Sequence, residues 1–392
     1  MSEGFKEKLR LYSEGKLPEA EREEVEQELE KLEAYQIYLE EQMEQEDQSQ
    51  GWRKKNLPPL AAPVRGKEKR IVRRGKWRAR FVNTFTVLTA LLAFTIISSI
   101  ITAVFYAAGD RTDTYRDVIS SAIAVSRPNT EVYLSANAKY FFRMELSGRL
   151  QKQIGGEQAD AGEYTQNFLF GLSGPGIFNW TDAGNAGNFY FFYPDAAAGS
   201  GSGSDDSREW KKLNKLPEGT VAEAYLSFDH LFTTDELLKT LEPLELLPVW
   251  FAADTGQRSA NTAVTAPLGF PYMPIWHEED AKVTQLSGEK TGWFSSVTTR
   301  SVAYPSVEAY GDGELRNDNF IKTLKLLQQH KSLARKAAPF IRLDEAVSYV
   351  EEQGVQLYGA VVTGPVKELL KLQENSWLSN IRIGEVQLWN WH

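Results

Sequence analysis

FVNTFTVLTALLAFTIISSIITAVFYAAG, residues 81–109, runs from Arg80 to Asp110 without one Asp, Glu, Lys or Arg. A helix rises about 1.5 Å per residue, and about 20 mostly apolar residues cross the hydrocarbon core of a bilayer. This stretch of 29 residues is long enough with some tilt, and its Thr and Ser hydroxyls can bond back to helical carbonyls. Trp77 and Tyr106 lie near its two ends, where an aromatic interface anchor prefers to sit. A buried helix of a soluble enzyme is the competing and weaker reading. The chain is therefore expected to span a membrane once, through residues 81–109.

The flanks orient the span. Gly51–Arg80 hold 12 Lys or Arg against one acid, Glu68, a net charge of +11. The other flank opens with Asp110, Arg111, Asp113 and Arg116, which balance. Basic residues are retained on the cytoplasmic side, so the N-terminus is expected inside and the rest of the chain outside the cell membrane. Some 80 residues precede the apolar run, which predicts an uncleaved signal-anchor rather than a cleaved secretory peptide. Residues 1–50 carry 16 acidic and 6 basic residues, a net −10, so the total of −9 conceals a steep charge contrast. The basic collar is suited to anionic inner-leaflet lipid, at about 1 kcal/mol per basic residue near the surface. Nucleic-acid binding is the competing use of such a run; proximity to the membrane disfavours it, and no direct nucleic-acid partner is expected.

The chain has no cysteine, so disulfides and thiolate metal sites are excluded. An outer domain of about 280 residues without a disulfide points to a bacterium, a Gram-positive one fitting well, and is large enough to build its own core. Four zones result: a helical domain (1–50), a basic juxtamembrane tether (51–80), the transmembrane helix (81–109) and an outer domain (110–392).

Phe5–Glu14 reads as a short helix with Phe5, Leu9 and Tyr12 on one face, broken at Gly15-Lys16-Leu17. Pro18 opens a second helix that can run to about Met43, with Glu19 and Glu21 at the positive end of its dipole. Val25, Leu29, Leu32, Tyr35 (or Gln36) and Leu39 follow helical spacing and make one stripe. Two helices of this size bury little against each other. The stripe therefore wants a partner, by helix-in-groove docking or, alternatively, by coiled-coil self-association. Gln48–Gly75, with Pro58, Pro59, Pro63 and dense charge, is predicted to be a flexible tether. Beyond the span, Tyr115–Arg127 predicts a helix and 132–150 strands; 167–194 predicts strands with loops, and AAAGSGSGSDDS (196–207) a linker. Strands are expected at 220–228, 245–254, 355–364 and 381–390. Helices are expected at 233–241, with Thr or Asp at the N-cap, and at 320–333, 343–353 and after Gly364-Pro365. The fold class is α+β: a small cytoplasmic helical hairpin, one transmembrane helix and a mixed α/β extracytoplasmic domain.

LYSEGKLPEAEREEVEQELEKLEAY near the N-terminus, AYLSFDHLFTTDELLKTL, LLPVWFAADTG, YGAVVTGPVKELLKLQ and the closing IRIGEVQLWNW together resemble the membrane-bound anti-sigma factors of Bacillus-type bacteria. The resemblance is to the anti-sigma-M type, with sigma-factor-regulator N- and C-terminal regions, the latter expected over 216–392. It implies that the N-terminal helices sequester an extracytoplasmic-function sigma factor, with Leu9, Tyr12, Leu17, Val25, Leu29, Leu32, Tyr35 and Leu39 as candidate contacts. It further implies that the outer domain reports envelope stress. Release by proteolysis, by a conformational shift or through a second small membrane protein stays open. Many anti-sigma domains carry a His-x3-Cys-x2-Cys zinc motif; on that register this chain has Glu28, Leu32 and Tyr35, so no zinc and no other cofactor is expected.

No catalytic constellation stands out. His277-Glu278-Glu279-Asp280 could ligate a metal but reads more readily as a polar turn. Ser287-Gly-Glu-Lys290 matches S-x-x-K without its companion motifs, and Gly171-Leu-Ser173-Gly is an incomplete nucleophile elbow. The aromatics Tyr140, Phe141, Phe142, Phe168, Phe170, Trp180 and NFYFFYP (188–194) suit core packing better than glycan or lipid binding. Trp389 and Trp391 could dock another protein. The reading is a non-enzymatic binding protein; a membrane-anchored cell-wall enzyme, or a divisome or envelope scaffold, is the alternative.

Overall fold

A computed structural model describes residues 65–181, 191–194, 202–257, 263–290 and 296–388, together with Val25, Gln27, Lys31, Ala34, Tyr35, Ile37 and Tyr38. Two compact units divide it, residues 1–86 and 87–392.

Helix α1 (Arg65–Ala107) carries the apolar run. It is long and apolar enough to cross a membrane, and almost none of its apolar window is buried by protein. Thr86, Thr95 and Thr102 return their hydroxyls to the carbonyls of Val82, Leu92 and Ser98, each at 2.8 Å, as the sequence predicts. The tether differs from expectation. Pro58, Pro59 and Pro63 all precede Arg65, and beyond them only Gly66 and Gly75 weaken a run rich in Lys, Arg and apolar residues, so 65–75 are helical rather than flexible. Gly109 (φ 67°) and Asp110 (φ 52°) take left-handed conformations and end the helix, the usual role of glycine at a helix C-terminus.

Helix α2 (Arg111–Ser126) follows at once. Val118, Ile119, Ser121, Ala122, Ile123, Ala124 and Val125 are all buried, so α2 is a core helix and not a surface one. It packs against strand β1 (Glu131–Val132), the first of a five-stranded antiparallel sheet. That sheet continues through β2 (Ser135–Ala138), β3 (Arg143–Ile154), β4 (Glu157–Leu169) and β5 (Leu172–Trp180). Alternate residues face inward along β3 and β4, so Met144, Leu146, Tyr164 and Phe168 are buried while Leu169 is exposed, the period-2 consequence of the pleat.

Helix α3 (Ser202–Leu213) falls where the composition predicted a linker. Leu213 is fully buried and Trp210 packs against the core; burial of this end outweighs the poor helix propensity of Gly and Ser. A second five-stranded antiparallel sheet follows, ordered β12-β6-β11-β7-β8. Its strands are β6 (Thr220–Phe232), β7 (Leu247–Ala253), β8 (Gly269–Pro271), β11 (Leu357–Pro365) and β12 (Leu378–Leu388). Between them in sequence lie a hairpin the sequence reading missed, β9 (Lys282–Lys290) with β10 (Ser296–Ala303), and five helices. Those are α4 (Thr234–Leu241), α5 (Gly313–Gln329), α6 (Lys331–Ala337), α7 (Leu343–Gln353) and α8 (Val366–Lys371). The single helix expected at 320–333 is thus two, α5 and α6, meeting at His330 (φ −108°, ψ 34°). Phe191 and Tyr193 enter a core cluster with Tyr225, Trp250 and Tyr358, as core packing predicts; residues 182–190, 389–392 and 195–201 lie outside the described residues.

Thr233 caps α4 in a full capping box with Glu236: Thr233 Oγ1 accepts from the Glu236 N–H at 3.3 Å, and Glu236 Oε2 accepts from the Thr233 N–H at 3.0 Å. Replacing Thr233 with Ala should destabilise the domain by about 1 kcal/mol, read as a melting point lowered by about 2–4 °C in a thermal scan of the full chain.

Candidate functional site

Of the eight candidate sigma contacts, Leu9, Tyr12, Leu17, Leu29, Leu32 and Leu39 lie outside the described residues. Val25 and Tyr35 are helical; Val25 is buried, whereas Tyr35 is exposed beside exposed Ile37 and Tyr38. Ten residues at 100° each set Val25 and Tyr35 about 80° apart, so the two ends of the predicted stripe need not share one environment.

The described residues with the richest geometry are those joining the span to the sheets. Tyr106, expected as an interface anchor, is instead buried in protein. Its hydroxyl donates to the Phe142 carbonyl at 2.9 Å and accepts the Gly171 N–H at 3.1 Å. One side chain of the span thereby clamps two hairpin turns, β2–β3 and β4–β5. Aromatic packing accompanies the change: Phe105 meets the Tyr106 ring edge to face at 5.0 Å and the Phe142 ring likewise at 5.3 Å, and Phe142 stacks on Phe170 at 4.7 Å. The last carbonyls of α1 are also satisfied locally: Thr112 Oγ1 donates to Tyr106 O at 3.1 Å and Arg111 Nη1 to Phe105 O at 3.1 Å, filling acceptors that a helix end leaves open. Tyr106→Phe removes both bonds of the clamp. The part-buried Gly171 N–H then loses its acceptor, a loss of about 1–3 kcal/mol, and its hydrogen exchange should accelerate about tenfold.

From α2 the connection passes into the second sheet. Trp250 Nε1 donates to the Ala124 carbonyl at 2.8 Å. Glu223 on β6 is fully buried; its carboxylate accepts from Asn129 Nδ2 at 2.7 Å and from Lys152 Nζ on β3 at 3.3 Å. Tyr225 OH (3.3 Å) and the Glu385 N–H (3.3 Å) complete the group. Burial first, then the Glu223 charge, push the Tyr225 phenol well above its ordinary value, so it remains a donor. Beside this pair, the two-residue turn between β3 and β4 sets Gly155 at φ 60°, where its N–H meets Thr363 Oγ1 at 2.6 Å. The left-handed geometry favours glycine, and a Cβ there would also lie 3.2 Å from the Val221 side chain, which would have to shift.

His277 is buried rather than set in a solvated turn. Its Nε2 lies 3.5 Å from Ser121 Oγ and its Nδ1 3.7 Å from Asp117 Oδ2, both on α2. The order Ser–His–Asp imitates a nucleophilic triad, but Ser121 is fully buried inside α2, with no space for a carbonyl beside its hydroxyl. The contact docks the 277–280 turn onto α2; Asp280 in turn accepts from the His277 N–H at 2.9 Å and from Lys322 Nζ at 2.6 Å. Burial, opposed by His277, raises the Asp117 carboxyl above the usual aspartate range. Among the described residues no cluster of His, Asp and Glu could hold a metal ion. Ser287 and Lys290 fall on β9, and Ser173 follows a hairpin turn, not the strand-to-helix turn of a nucleophile elbow. A cleft at the C-terminal end of α2 is lined by Arg127, Arg342, Phe340 and Leu268 among others, with no carboxylate or histidine among its described lining residues. The aromatic residues divide: Phe168 and Trp180 pack on the core, whereas Tyr140, Phe141 and Phe170 stay exposed. Nothing local in the sequence links Lys152 to Glu223 or Ser121 to His277; only the inward register of Lys152 on β3 hints at its burial.

A helix long and apolar enough to cross a membrane runs directly into the core of a mixed α/β domain, the arrangement of a single-pass membrane protein. The sigma factor regulator N-terminal family matches residues 69–159, and the sigma factor regulator C-terminal family matches residues 213–385. The probable anti-sigma-M factor YhdL of Bacillus subtilis (strain 168) is 27% identical over 399 residues, covering 100% of both chains. No solved structure matches. The chain belongs with the anti-sigma factors of this type. The N-terminal family match covers the end of the collar, the span, α2 and the first strands, whereas the 11–35 segment is covered by the full-length similarity to the Bacillus subtilis relative. The cross-sheet contacts at Glu223, Thr363, Trp250 and His277 therefore join one family region to the other.

Proposed function

We propose that this chain is a membrane-anchored anti-sigma factor that sequesters an extracytoplasmic-function sigma factor through its N-terminal helices. In this reading residues 1–50 are cytoplasmic, 51–80 the basic juxtamembrane segment, 81–109 an uncleaved signal-anchor, and 110–392 the sensor domain outside a Gram-positive cell. Leu9, Tyr12, Leu17, Val25, Leu29, Leu32, Tyr35 and Leu39 enter a groove on the sigma factor, while the glutamate-rich surface speeds association with basic surface on the partner. The observation that carries the proposal is the full-length similarity to a probable anti-sigma-M factor, which includes the acidic amphipathic segment. The direct run from α1 into buried α2 supports signalling: a rearrangement of the sheets acts on the end of the span without an intervening linker. A second small membrane protein could meet the span or the outer domain. The protein binds and does not catalyse.

The test is recovery of the tagged full chain from membranes of a related Gram-positive host. One sigma factor should co-purify, and Leu29→Asp with Leu32→Asp should abolish it. A preparation that holds no sigma factor, or holds it equally in the double variant, overturns the proposal.

A further inference from the structure

Two hairpin turns of the first sheet lie along α1 inside its uncharged stretch. Any window of about 20 residues within 81–109 includes residues 90–100, so Phe94 and Ser98 fall in the hydrocarbon wherever an upright helix is placed, and tilt only widens the window. At that depth the Phe141 ring meets Phe94 at 5.7 Å, and the Phe141 N–H donates to Ser98 Oγ at 2.9 Å. One turn higher the Phe142 N–H donates to Thr102 Oγ1, also at 2.9 Å. The second turn is tied in through Phe170 N–H to Phe142 O (3.0 Å) and Gly171 N–H to Tyr106 OH (3.1 Å).

Three independent features fit burial of these turns in lipid. First, irregular backbone at membrane depth is tolerated only when its polar groups are satisfied internally, and here hydroxyls of the span take the turn N–H groups that water would otherwise take. Second, the uncovered side chains at the turn tips are apolar: Tyr140, Phe141, Leu169, Phe170 and Leu172, the last 77% exposed; the exposed bases Lys139 and Arg143 stand on either side of the first tip, where long basic side chains reach for the headgroups. Third, Phe141, Phe142 and Phe170 adopt φ values of 56°, 55° and 52°. Tight hairpin turns with left-handed central residues favour Asn-Gly, and a bulky residue there is a genuine outlier. Phenylalanine stands against local preference in both turns.

We infer that the turn tips Tyr140–Phe142 and Phe170–Gly171 are embedded in the membrane leaflet nearest the α/β domain, with lipid acyl chains covering their aromatic and aliphatic side chains. The domain is then held to the bilayer by three elements rather than by the span alone, and the Tyr106 clamp sits at the boundary between leaflet and sheet. The partner surface is lipid, and it acts whatever protein the N-terminal segment binds.

The absence of cysteine makes the test direct. Tyr140→Cys and Leu172→Cys leave the strained phenylalanines in place; each full chain is labelled with an environment-sensitive fluorophore and reconstituted into phosphatidylglycerol–phosphatidylethanolamine vesicles. Phe340→Cys, 76% exposed and distant in sequence from both turns, serves as the aqueous reference. Both turn sites should be quenched several-fold more by lipids spin-labelled on the acyl chain than the reference is, and several-fold less by iodide. Iodide access at either turn site equal to that at Phe340, or no added quenching from the spin-labelled lipid, overturns the inference.

Discussion

A chain carrying Leu29→Asp with Leu32→Asp is expected to raise transcription from the partner sigma factor's promoters by at least about tenfold, the equivalent of 1.4 kcal/mol in binding. Each leucine buried in a groove contributes about 1.5–3 kcal/mol, and the aspartates add the desolvation of two charges in an apolar site. Even half of the leucine term exceeds the tenfold threshold. Gln27 is exposed on the same segment, and Gln27→Ala should leave repression intact. A promoter reporter, read beside an immunoblot for chain abundance, checks both. A silent reporter with the double variant present at normal abundance would place the sigma contact elsewhere.

Lys152→Met is expected to destabilise the α/β domain by about 3–5 kcal/mol, because removing one partner of a buried ion pair leaves the other charge uncompensated. Glu223 has no exposed surface and Lys152 almost none, so water cannot replace the ammonium. Asn129, Tyr225 and the Glu385 N–H still donate to the carboxylate, which limits the loss without cancelling the charge. Adding Glu223→Gln should recover part of it, since the amide is neutral and keeps the shape. Thermal unfolding of the full chain in detergent measures both steps. Equal melting points for the parent and Lys152→Met would show that the pair contributes nothing. Because the pair joins the first sheet to β6, the same variant should weaken the coupling between the two family regions.

Most elements of the second sheet are legible in the chain because each satisfies its rule locally. LLPVWFAAD and VQLYGAVVTG are β-branched and aromatic runs of strand length, and TTDELLKTL carries its own capping box. The β9–β10 hairpin escaped because Lys282–Lys290 and Ser296–Ala303 are polar and mix turn formers with strand formers. The helix at Ser202–Leu213 escaped for the opposite reason: its Gly/Ser composition says linker, and only the burial of Leu213 and Trp210 says otherwise.

The sequence by itself determined the span, since a run of 29 residues without charge must satisfy its backbone internally in lipid. It likewise determined the charge contrast across the collar and the motifs on which the family resemblance rests. Only the tertiary structure decided that Tyr106 turns from membrane anchor to protein clamp, that α2 is a core helix, and that Lys152 meets Glu223 across 71 residues of chain. Those are long-range pairings. Their energy comes from desolvating groups that lie far apart in sequence, and no local propensity encodes which of them will meet.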